Sequence, residues 1–463
     1  MRISVALTGA RAQVRLIQGG LILVLNIAIG VMIAHTSWTF FPIAILVAAI
    51  ATYLAYNHPI LTVVLIVILS TITDNLSGFL SIPTVIDVGL FNLRLWDPLF
   101  SGILVTLFLK LLDYQLIQAL LRYYLLLILL FVLLILQLML NIGVYGINAL
   151  GEFRTYYSPL LMMPYLAIFM RTTEQRLRML KVLMILSFSF IAVVLLNGLF
   201  TRDIGLTFGS LGLKLIGSSG ALALLYGLVA LLLTMNQRIM RVSPLLLALV
   251  FLTGGFLVLL TAHRSVWLAT TLAFLTLYLL REFRLKRQAQ FVLIAYLVGV
   301  TACFALSNVG QNPVEFIETR LLAFTDPEQD PTAYWRQYLW QTSLEEIRQN
   351  PWLGSGLGKH FQLTGPAGDL ITTSPHSLYV TIPSQIGIPG LLIYLAFIGM
   401  LFLRFMRLRL RVKQYIPASD RAILTVGIVV LVAAHAYYVG YTMDLITWLY
   451  VGLAGSVLVN QKQ

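Results

Sequence analysis

The sequence predicts an all-α fold, a polytopic bundle of transmembrane helices with one long extracytoplasmic loop. Of its 463 residues, 59% are hydrophobic and only 11% are charged, and the mean hydropathy is +0.90. A soluble chain of this composition has too few polar residues to cover its surface. The apolar residues form runs of roughly 17 to 25, the length of a helix that crosses about 30 Å of hydrocarbon, without the alternation typical of a membrane barrel.

The apolar runs between polar breaks predict about fourteen spans. They are 17–34, 39–56, 58–74, 97–113, 122–142, 156–170, 179–199, 217–235, 243–262, 264–281, 289–306, 378–403, 421–440 and 443–459. The short run 156–170 can also be re-entrant or tilted, which leaves twelve or thirteen crossings as alternatives. The first run is expected to be a retained span, because it lacks the features of a removed signal. The single cysteine, Cys303, is predicted to be a buried apolar residue.

These spans predict three regions. Residues 1–306 form an N-terminal transmembrane bundle, 307–375 an extracytoplasmic catalytic loop, and 376–463 the C-terminal transmembrane helices. A loop of this length inside a compact protein is usually functional. The sequence therefore directs attention to residues 307–375 and their neighbours.

Basic clusters predict the orientation. "RLRMLK" (176–181), "REFRLKR" (281–287) and "RFMRLRLRVK" (404–413) fall on one side when the spans are counted in order. By the positive-inside rule that side is the cytoplasm, and it also holds both termini. This topology places 22 of the 31 Lys and Arg inside and nine outside. The net charge of +13 is therefore interpreted mainly as a topology signal, and nucleic-acid binding is not expected.

The outer-face cations run against this charge bias. They are Arg94, Arg154, Arg202, Lys214, Arg264, Arg320, Arg336, Arg348 and Lys359. Arg154 and Arg264 lie where an outer loop enters a span, where a cation costs energy unless it snorkels, pairs or meets an anion. Arg154 has Glu152 or a lipid phosphate as an alternative partner. Arg264 has no acidic neighbour in sequence, and the adjacent His263 is expected to bond to backbone at a helix end.

The long loop carries two patterns. Residues 333–349 have apolar side chains at helical spacing, which predicts an amphipathic helix on or near the membrane. "NPWLGSGLG" (350–358) should end this helix, because Pro351 blocks it and three glycines permit tight turns. A turn without a ligand is the favoured interpretation, and a phosphate cradle is the weaker alternative, because the motif lacks the lysine of a nucleotide-binding loop.

His376 lies in "SPHSLYVTIPSQIGIPG" (374–390), at the outer end of an apolar run. A neutral imidazole can accept a proton from a sugar hydroxyl, and an arginine fork can bind a diphosphate leaving group. The outer loops contain no Asp-x-Asp pair or His cluster, so the chemistry is predicted to need neither metal nor cofactor. The alternative is that His376 only caps the span beginning at Leu378.

Three segments carry a family resemblance. "AHRSVWLA" (262–269), "YWRQYLWQTSLEEIRQNPWLGSGLG" (334–358) and "PHSLYVTIPSQIGIPGLLIYL" (375–395) resemble, in this order, the O-antigen ligase and O-antigen polymerase superfamily. The resemblance covers about residues 240–460, and the N-terminal half agrees only in hydropathy. It implies a C-type glycosyltransferase-like fold.

The resemblance also implies roles for single residues. His376 matches the family histidine proposed to activate the acceptor hydroxyl. Arg264 and Arg336 match arginines thought to hold the donor diphosphate. Arg154 has a looser counterpart and, with Arg320, completes the substrate-binding candidates.

The chain departs from the family pattern at two positions. Ser377 stands where the family often has Asn, and Gln385 where it often has Glu, which removes a possible carboxylate partner. Both departures bear on acceptor recognition. Asp444 is a further open case, since it can pair with an outer arginine, cap the last span, or orient His376 or an arginine.

The function implied by the resemblance is inverting glycosyl transfer from an undecaprenyl-diphosphate-linked oligosaccharide to a glycan or lipid-linked glycan acceptor. Polysaccharide polymerisation is the leading alternative, and ligation to lipid A core is the second. A membrane transporter related to inorganic carbon transporters is the rival of another class. A chain-length regulator or a flippase are the expected protein partners, beside membrane lipids. The expected location is the bacterial inner membrane, with the active site facing the periplasm.

Overall fold

The computed structural model describes residues 41–72, 85–87, 92–94, 96–110, 114–200, 218–243, 249–255, 258, 264–282, 331–365, 368–372, 374–411 and 416–460. The predicted spans 17–34 and 289–306 lie outside these residues. So do Cys303, Arg320, His263 and the side chain of Arg264. Helices dominate the described part of the chain, and two short hairpins accompany them.

The chain divides into two compact units, Met1–Arg122 and Tyr123–Gln463. The described elements that lie wholly within the first unit are α1 (Phe41–Asn57), α2 (Pro59–Val67) with a following π-helical turn (Ile68–Ile72), the hairpin of β1 (Val85–Asp87) and β2 (Asn92–Arg94), and α3 (Asp97–Lys110). Helix α1 packs closely on α3, because Gly102 has no side chain that would meet the backbone of Ala51. The predicted spans 39–56, 58–74 and 97–113 correspond to these helices.

Nine further helices are described from Tyr114 onward. They are α4 (Tyr114–Tyr145), α5 (Ile147–Phe169), α6 (Thr173–Phe200), α7 (Ser218–Asn236), α8 (Arg264–Leu279), α9 (Pro331–Gln349), α10 (Leu378–Arg411), α11 (Ala418–Tyr437) and α12 (Leu445–Val459). A second hairpin, β3 (Phe361–Gly365) with β4 (Gly368–Thr372), follows α9. The run 156–170, for which a re-entrant segment was an alternative, is part of the 23-residue helix α5.

Four of the described helices are long and apolar enough to cross a membrane. They contain residues Leu121–Tyr145, Ser218–Asn236, Leu378–Leu410 and Ala418–Tyr437. Shorter apolar helices include Ser265–Leu279 and Leu445–Val459. The chain is therefore a helical membrane protein, as predicted, while the total of about fourteen spans stays a prediction.

Helix α11 lies at the centre of the second unit, where it packs against α7, α8, α10 and α12, while α12 also packs along α5. Small residues allow these close approaches. Gly427 of α11 faces Ala454 of α12, and a side chain at Gly452 would come within 2.9 Å of the Met162 carbonyl oxygen on α5. Small residues at helix contacts are typical of membrane bundles, in which backbone packing replaces the hydrophobic effect.

Polar contacts join several helix ends at one end of this unit. The guanidinium of Arg176, at the start of α6, donates to both carboxylate oxygens of Asp420 on α11, at 2.9 and 2.6 Å. Arg409 on α10 binds Glu282, directly after α8, at 2.7 Å. Arg421 on α11 donates to Gln237, directly after α7. Residues of the three basic clusters therefore share one end of the unit, where Arg176 forms a buried ion pair and Arg409 a partly buried one.

The predicted helix of the long loop is present as α9, and two features were not predicted. The apolar face of α9 packs on protein rather than only on the membrane surface, because Leu339 is buried against Phe361 and Trp335. The hairpin β3–β4 was not predicted, since only amphipathic helices were expected in the loop. Its strands are five residues long and pair from Phe361 with Thr372 to Gly365 with Gly368, too short to give a clear alternating pattern.

Candidate active site

His376 lies in the turn that precedes α10. This segment, residues 374–378, is called the His376 turn below. The backbone of His376 has φ = +54°, in the left-handed region that few residues other than glycine and asparagine adopt. Its N–H donates to the Ser374 hydroxyl at 3.3 Å. The flanking residues Pro375 and Ser377 are buried while the imidazole is exposed, so the turn holds its backbone and presents the side chain.

Three long-range hydrogen bonds from two donors fix this turn. The indole N–H of Trp340 on α9 donates to the Pro375 carbonyl at 2.9 Å. The N–H of Leu378 is shared between the carbonyls of Tyr438 and Tyr441, both at 3.0 Å. Helix α9, helix α10 and the segment after α11 therefore meet at His376. The segment Tyr438–Asp444 is called the aromatic turn below.

Arg336 lies on α9 one helical turn before Trp340, so both side chains project from the same face. Its guanidinium lies over the ring of Tyr441, with Cζ 5.6 Å from the ring centroid. Partial burial, and after it the positive charge of Arg336, lower the pKa of His376 from its usual value of 6.5. His376 is therefore mainly neutral at pH 7, the form that can accept a proton.

The N-terminus of α8 reaches the same place. Helix α8 begins at Arg264, and the hydroxyl of the next residue, Ser265, lies where a side chain on Gly440 would be. The same added atom would be 3.5 Å from the Arg336 guanidinium. The structure thus brings His376, Arg336 and the backbone of the Arg264 segment together from three parts of the chain.

Arg154 is placed differently. It is half-buried on α5, two residues after Glu152, whose carboxylate accepts from the side-chain amide of Gln385 on α10 at 3.1 Å. The hydroxyl of Tyr156 donates to the carbonyl oxygen of the Gln385 side chain at 2.6 Å. Gln385 is about two helical turns beyond the His376 turn. Arg154 is therefore on a helix that is hydrogen-bonded to α10 about two turns beyond the His376 turn.

Glu152 bears on Gln385, which stands where the family pattern often has glutamate. The sequence indicated that a glutamine at this position removes a carboxylate. In the structure Glu152 of α5 supplies a carboxylate directly beside it. Sequence comparison along α10 alone does not find this partner, because the two residues are 233 positions apart.

The loop 350–358, called the glycine loop below, fills a break in α10. Gly387 has φ = +79° and ψ = 170°, so the helix is interrupted there. Two hydrogen bonds between the loop and α10 satisfy backbone groups that the break leaves without helical partners. Ser355 N–H donates to the Ser384 carbonyl at 2.6 Å, and Ile388 N–H donates to the Pro351 carbonyl at 2.8 Å. Irregular backbone beside a membrane helix needs such partners.

Further contacts hold the glycine loop in this place. Gln137 on α4 donates to the Leu353 carbonyl at 2.7 Å. The carboxylate of Glu346 accepts from Ser355 at 2.8 Å and from Lys359 at 2.7 Å. All three glycines of the loop have positive φ, which confirms the predicted tight turns. These contacts join the loop to α4 and α9.

Asp444 caps the last helix. Its carboxylate accepts from the Thr447 N–H at 2.8 Å and from the Thr447 hydroxyl at 2.6 Å, the arrangement of an N-cap. It also accepts from the Tyr438 hydroxyl at 3.0 Å. Of the alternatives for Asp444, the cap is therefore confirmed. Through Tyr438 it also steadies the aromatic turn that binds Leu378.

Sequence reasoning missed the aromatic turn as part of the site. Tyr441, Gly440 and Tyr438 all contact residues of the His376 turn, Arg336 or Ser265. The available signal was the density of tyrosines in "AYYVGYTMD" (436–444), at the outer end of a predicted span. Aromatic residues are common at membrane interfaces, so this signal did not single out a site.

One family model matches the chain. Residues 247–395 match the model described as O-antigen ligase. The matched range contains Arg264, Arg336 and His376, so the resemblance to the O-antigen ligase and polymerase superfamily is confirmed over residues 247–395. Among curated proteins none matches the chain.

Proposed function

We propose that this membrane protein, whose residues 247–395 match the O-antigen ligase family, transfers a glycan from an undecaprenyl-diphosphate carrier to a glycan acceptor with inversion at the anomeric carbon. The observation that carries the proposal is the pairing, at the N-terminal end of α10, of His376, whose pKa is lowered by partial burial and by the charge of Arg336, with that arginine. The family match supports glycosyl transfer in general. The roles of the individual groups follow from their chemistry.

His376 acts as the general base. The acceptor hydroxyl oxygen attacks the anomeric carbon while its proton passes to the imidazole, which becomes imidazolium. A positioned base of this kind contributes about 10²- to 10⁴-fold to the rate. Because one displacement occurs on the face opposite the leaving group, the product has the inverted configuration.

Arg336 holds the leaving group. The bond between the anomeric carbon and the phosphate oxygen breaks, and its electron pair leaves with the lipid diphosphate. A guanidinium presents paired N–H donors that match the oxygens of a diphosphate and stabilise the added negative charge. Arg264, the first residue of α8, is the second candidate to give N–H hydrogen bonds to the diphosphate, and the helix N-terminus adds a positive potential there. Arginine supplies this charge, so the proposed reaction uses no metal.

Two acceptors fit the same chemistry. A second lipid-linked repeat unit gives a polysaccharide polymerase, the function we favour. Lipid A core gives a ligase, which the description of the matched family favours. Incubation of the purified protein with a lipid-linked repeat unit, with or without lipid A core, separates these functions by product: a ladder of longer lipid-linked glycans or a single adduct on lipid A.

His376→Asn tests the base. Asparagine tolerates the left-handed backbone of the turn but has no basic nitrogen, so the variant should fold and bind donor while transfer falls by roughly 100-fold or more. The measurement is transfer from a lipid-diphosphate-linked repeat unit by protein reconstituted in liposomes. Size-exclusion chromatography and thermal unfolding provide the control. A variant that transfers at close to the wild-type rate would show that His376 only terminates the helix.

A further inference from the structure

We infer that Tyr441 is a positioning residue, whose ring carries the guanidinium of Arg336 and aims it at the space beside His376. This inference rests on the proposed function, in which Arg336 binds the diphosphate. It concerns a residue of the aromatic turn, which lies beyond the family match at 247–395.

The ring of Tyr441 contacts both Arg336 and Tyr437. One face carries Arg336, with Cζ 5.6 Å from the ring centroid. The ring also stacks on Tyr437 of α11, with centroids 4.5 Å apart and planes 4° apart. The hydroxyl of Tyr437 donates to Ser218 on α7 at 2.8 Å. A stack of arginine and two tyrosines is thus anchored in two membrane helices.

The backbone of the aromatic turn restricts the arginine from a second direction. Gly440 leaves room for Ser265 of α8 and for the guanidinium of Arg336, which lies 3.5 Å from the position of an added side-chain atom. The carbonyl of Tyr441 also accepts from Leu378 of the His376 turn. Tyr441 therefore contacts Arg336 through its ring and the His376 turn through its backbone, so it sets the position of one relative to the other.

A ring suits this task better than a carboxylate does. None of the ion pairs among the described residues includes Arg336. A carboxylate partner would occupy the N–H donors of the guanidinium, whereas an aromatic face binds the flat surface of the cation and leaves the in-plane donors for ligand oxygens. Tyr441 thus holds Arg336 without competing with a diphosphate.

The pKa of His376 provides a readout of the position of Arg336. The elements packed against the His376 turn carry Arg336 on α9, and Tyr438, Tyr441 and Asp444 on the aromatic turn. The carboxylate of Asp444 is bonded to Thr447 and Tyr438. Arg336 is the charged group whose field lowers the pKa of His376, so displacement of the guanidinium should raise that pKa.

The experiment compares Tyr441→Leu with Tyr441→Phe, which removes only the hydroxyl and serves as the matched control. Diethyl pyrocarbonate modifies neutral histidine, and the modification of His376 can be followed by mass spectrometry across a pH series without any substrate. We expect the midpoint pH of His376 modification to rise in Tyr441→Leu and to stay at the wild-type value in Tyr441→Phe. Transfer should fall about tenfold in Tyr441→Leu, mainly through a higher KM for donor, as expected for loss of a desolvated cation–π contact.

A fluorinated phenylalanine at position 441 is the substitute test variant if Tyr441→Leu does not fold. It keeps the shape of the ring but removes its negative face, and should reproduce the shift in midpoint. An unchanged midpoint and an unchanged KM for donor in these variants would overturn the role of Tyr441. Absence of transfer by the wild-type protein, with the midpoint shift present, would instead overturn the proposed function and leave the positioning of Arg336 standing.

Discussion

At the scale of single residues, the site depends on two backbone features that side-chain patterns do not reveal. His376 adopts φ = +54°, and its neighbours on both sides are buried, so its side chain projects from a fixed backbone. Gly440 lacks a side chain where Ser265 and Arg336 approach it. Strained backbone conformations persist where surrounding contacts determine them, as the bonds from Trp340 and Leu378 do here.

The charge and the shape of Arg336 make separable contributions. Arg336→Lys keeps a positive charge but loses the planar fork, so transfer should fall roughly 10- to 100-fold, the equivalent of one hydrogen bond to a charged group. Arg336→Gln also loses the charge.

The rate of transfer by the wild-type protein should fall as pH drops through the lowered pKa of His376, because the base becomes protonated, and the midpoint of this pH profile should lie below 6.5.

The pH–rate profiles of the two variants distinguish these contributions. Arg336→Gln should move the midpoint upward, since the field that lowers the pKa of His376 is gone, whereas Arg336→Lys should keep it near the wild-type value. Arg348→Lys, at an exposed position on the same helix, is the matched control and should retain full activity. If Arg336→Lys transferred at the wild-type rate, the arginine would act by charge alone.

At the scale of elements, the glycine loop and helix α10 depend on each other. The break at Gly387 leaves backbone groups that the loop satisfies, and the carbonyl of Trp352 occupies the place where a side chain on Gly387 would lie. The break separates the first turns of α10, which carry the His376 turn, from the apolar segment that follows. The loop therefore fixes the direction in which the start of α10 presents His376.

Gly387→Ala should destabilise the protein, because alanine is strained at φ = +79° and its side chain meets the Trp352 carbonyl. The expected cost is about 1–3 kcal/mol for the backbone conformation alone, with displacement of the loop in addition. Gly399→Ala, on the same helix with no atom within 4 Å of the added group, is the control and should be neutral. Thermal unfolding in detergent measures both, and equal melting temperatures would contradict the role of the break.

At the scale of the whole molecule, charge and hydropathy act together. The helix ends that carry residues of the three basic clusters are joined by the contacts of Arg176, Arg409 and Arg421. His376 precedes the opposite end of α10, a helix of 34 residues. The positive-inside rule then predicts that the basic ends are cytoplasmic and that His376 faces the periplasm.

Cysteine labelling tests this orientation. In a Cys303→Ser background, Arg348→Cys, exposed on α9, should react with a membrane-impermeant maleimide in intact spheroplasts. Arg407→Cys, exposed near the end of α10, should react only after the membrane is permeabilised. The reverse pattern would place the site in the cytoplasm, where a carrier-linked glycan on the outer leaflet cannot reach it.

The sequence by itself determined the membrane class and the helices that the structure describes after residue 264, and it proposed His376, Arg336 and Arg264 as site residues. Hydropathy and short motifs are local properties, so they can be read without knowing which helices are neighbours. Only the tertiary structure decided which residues support them. The contacts of Tyr441 with Arg336, of Gly440 with Ser265, of Glu152 with Gln385 and of the glycine loop with the break at Gly387 join distant parts of the chain. Such contacts arise from packing, which periodicity and motif spacing do not encode.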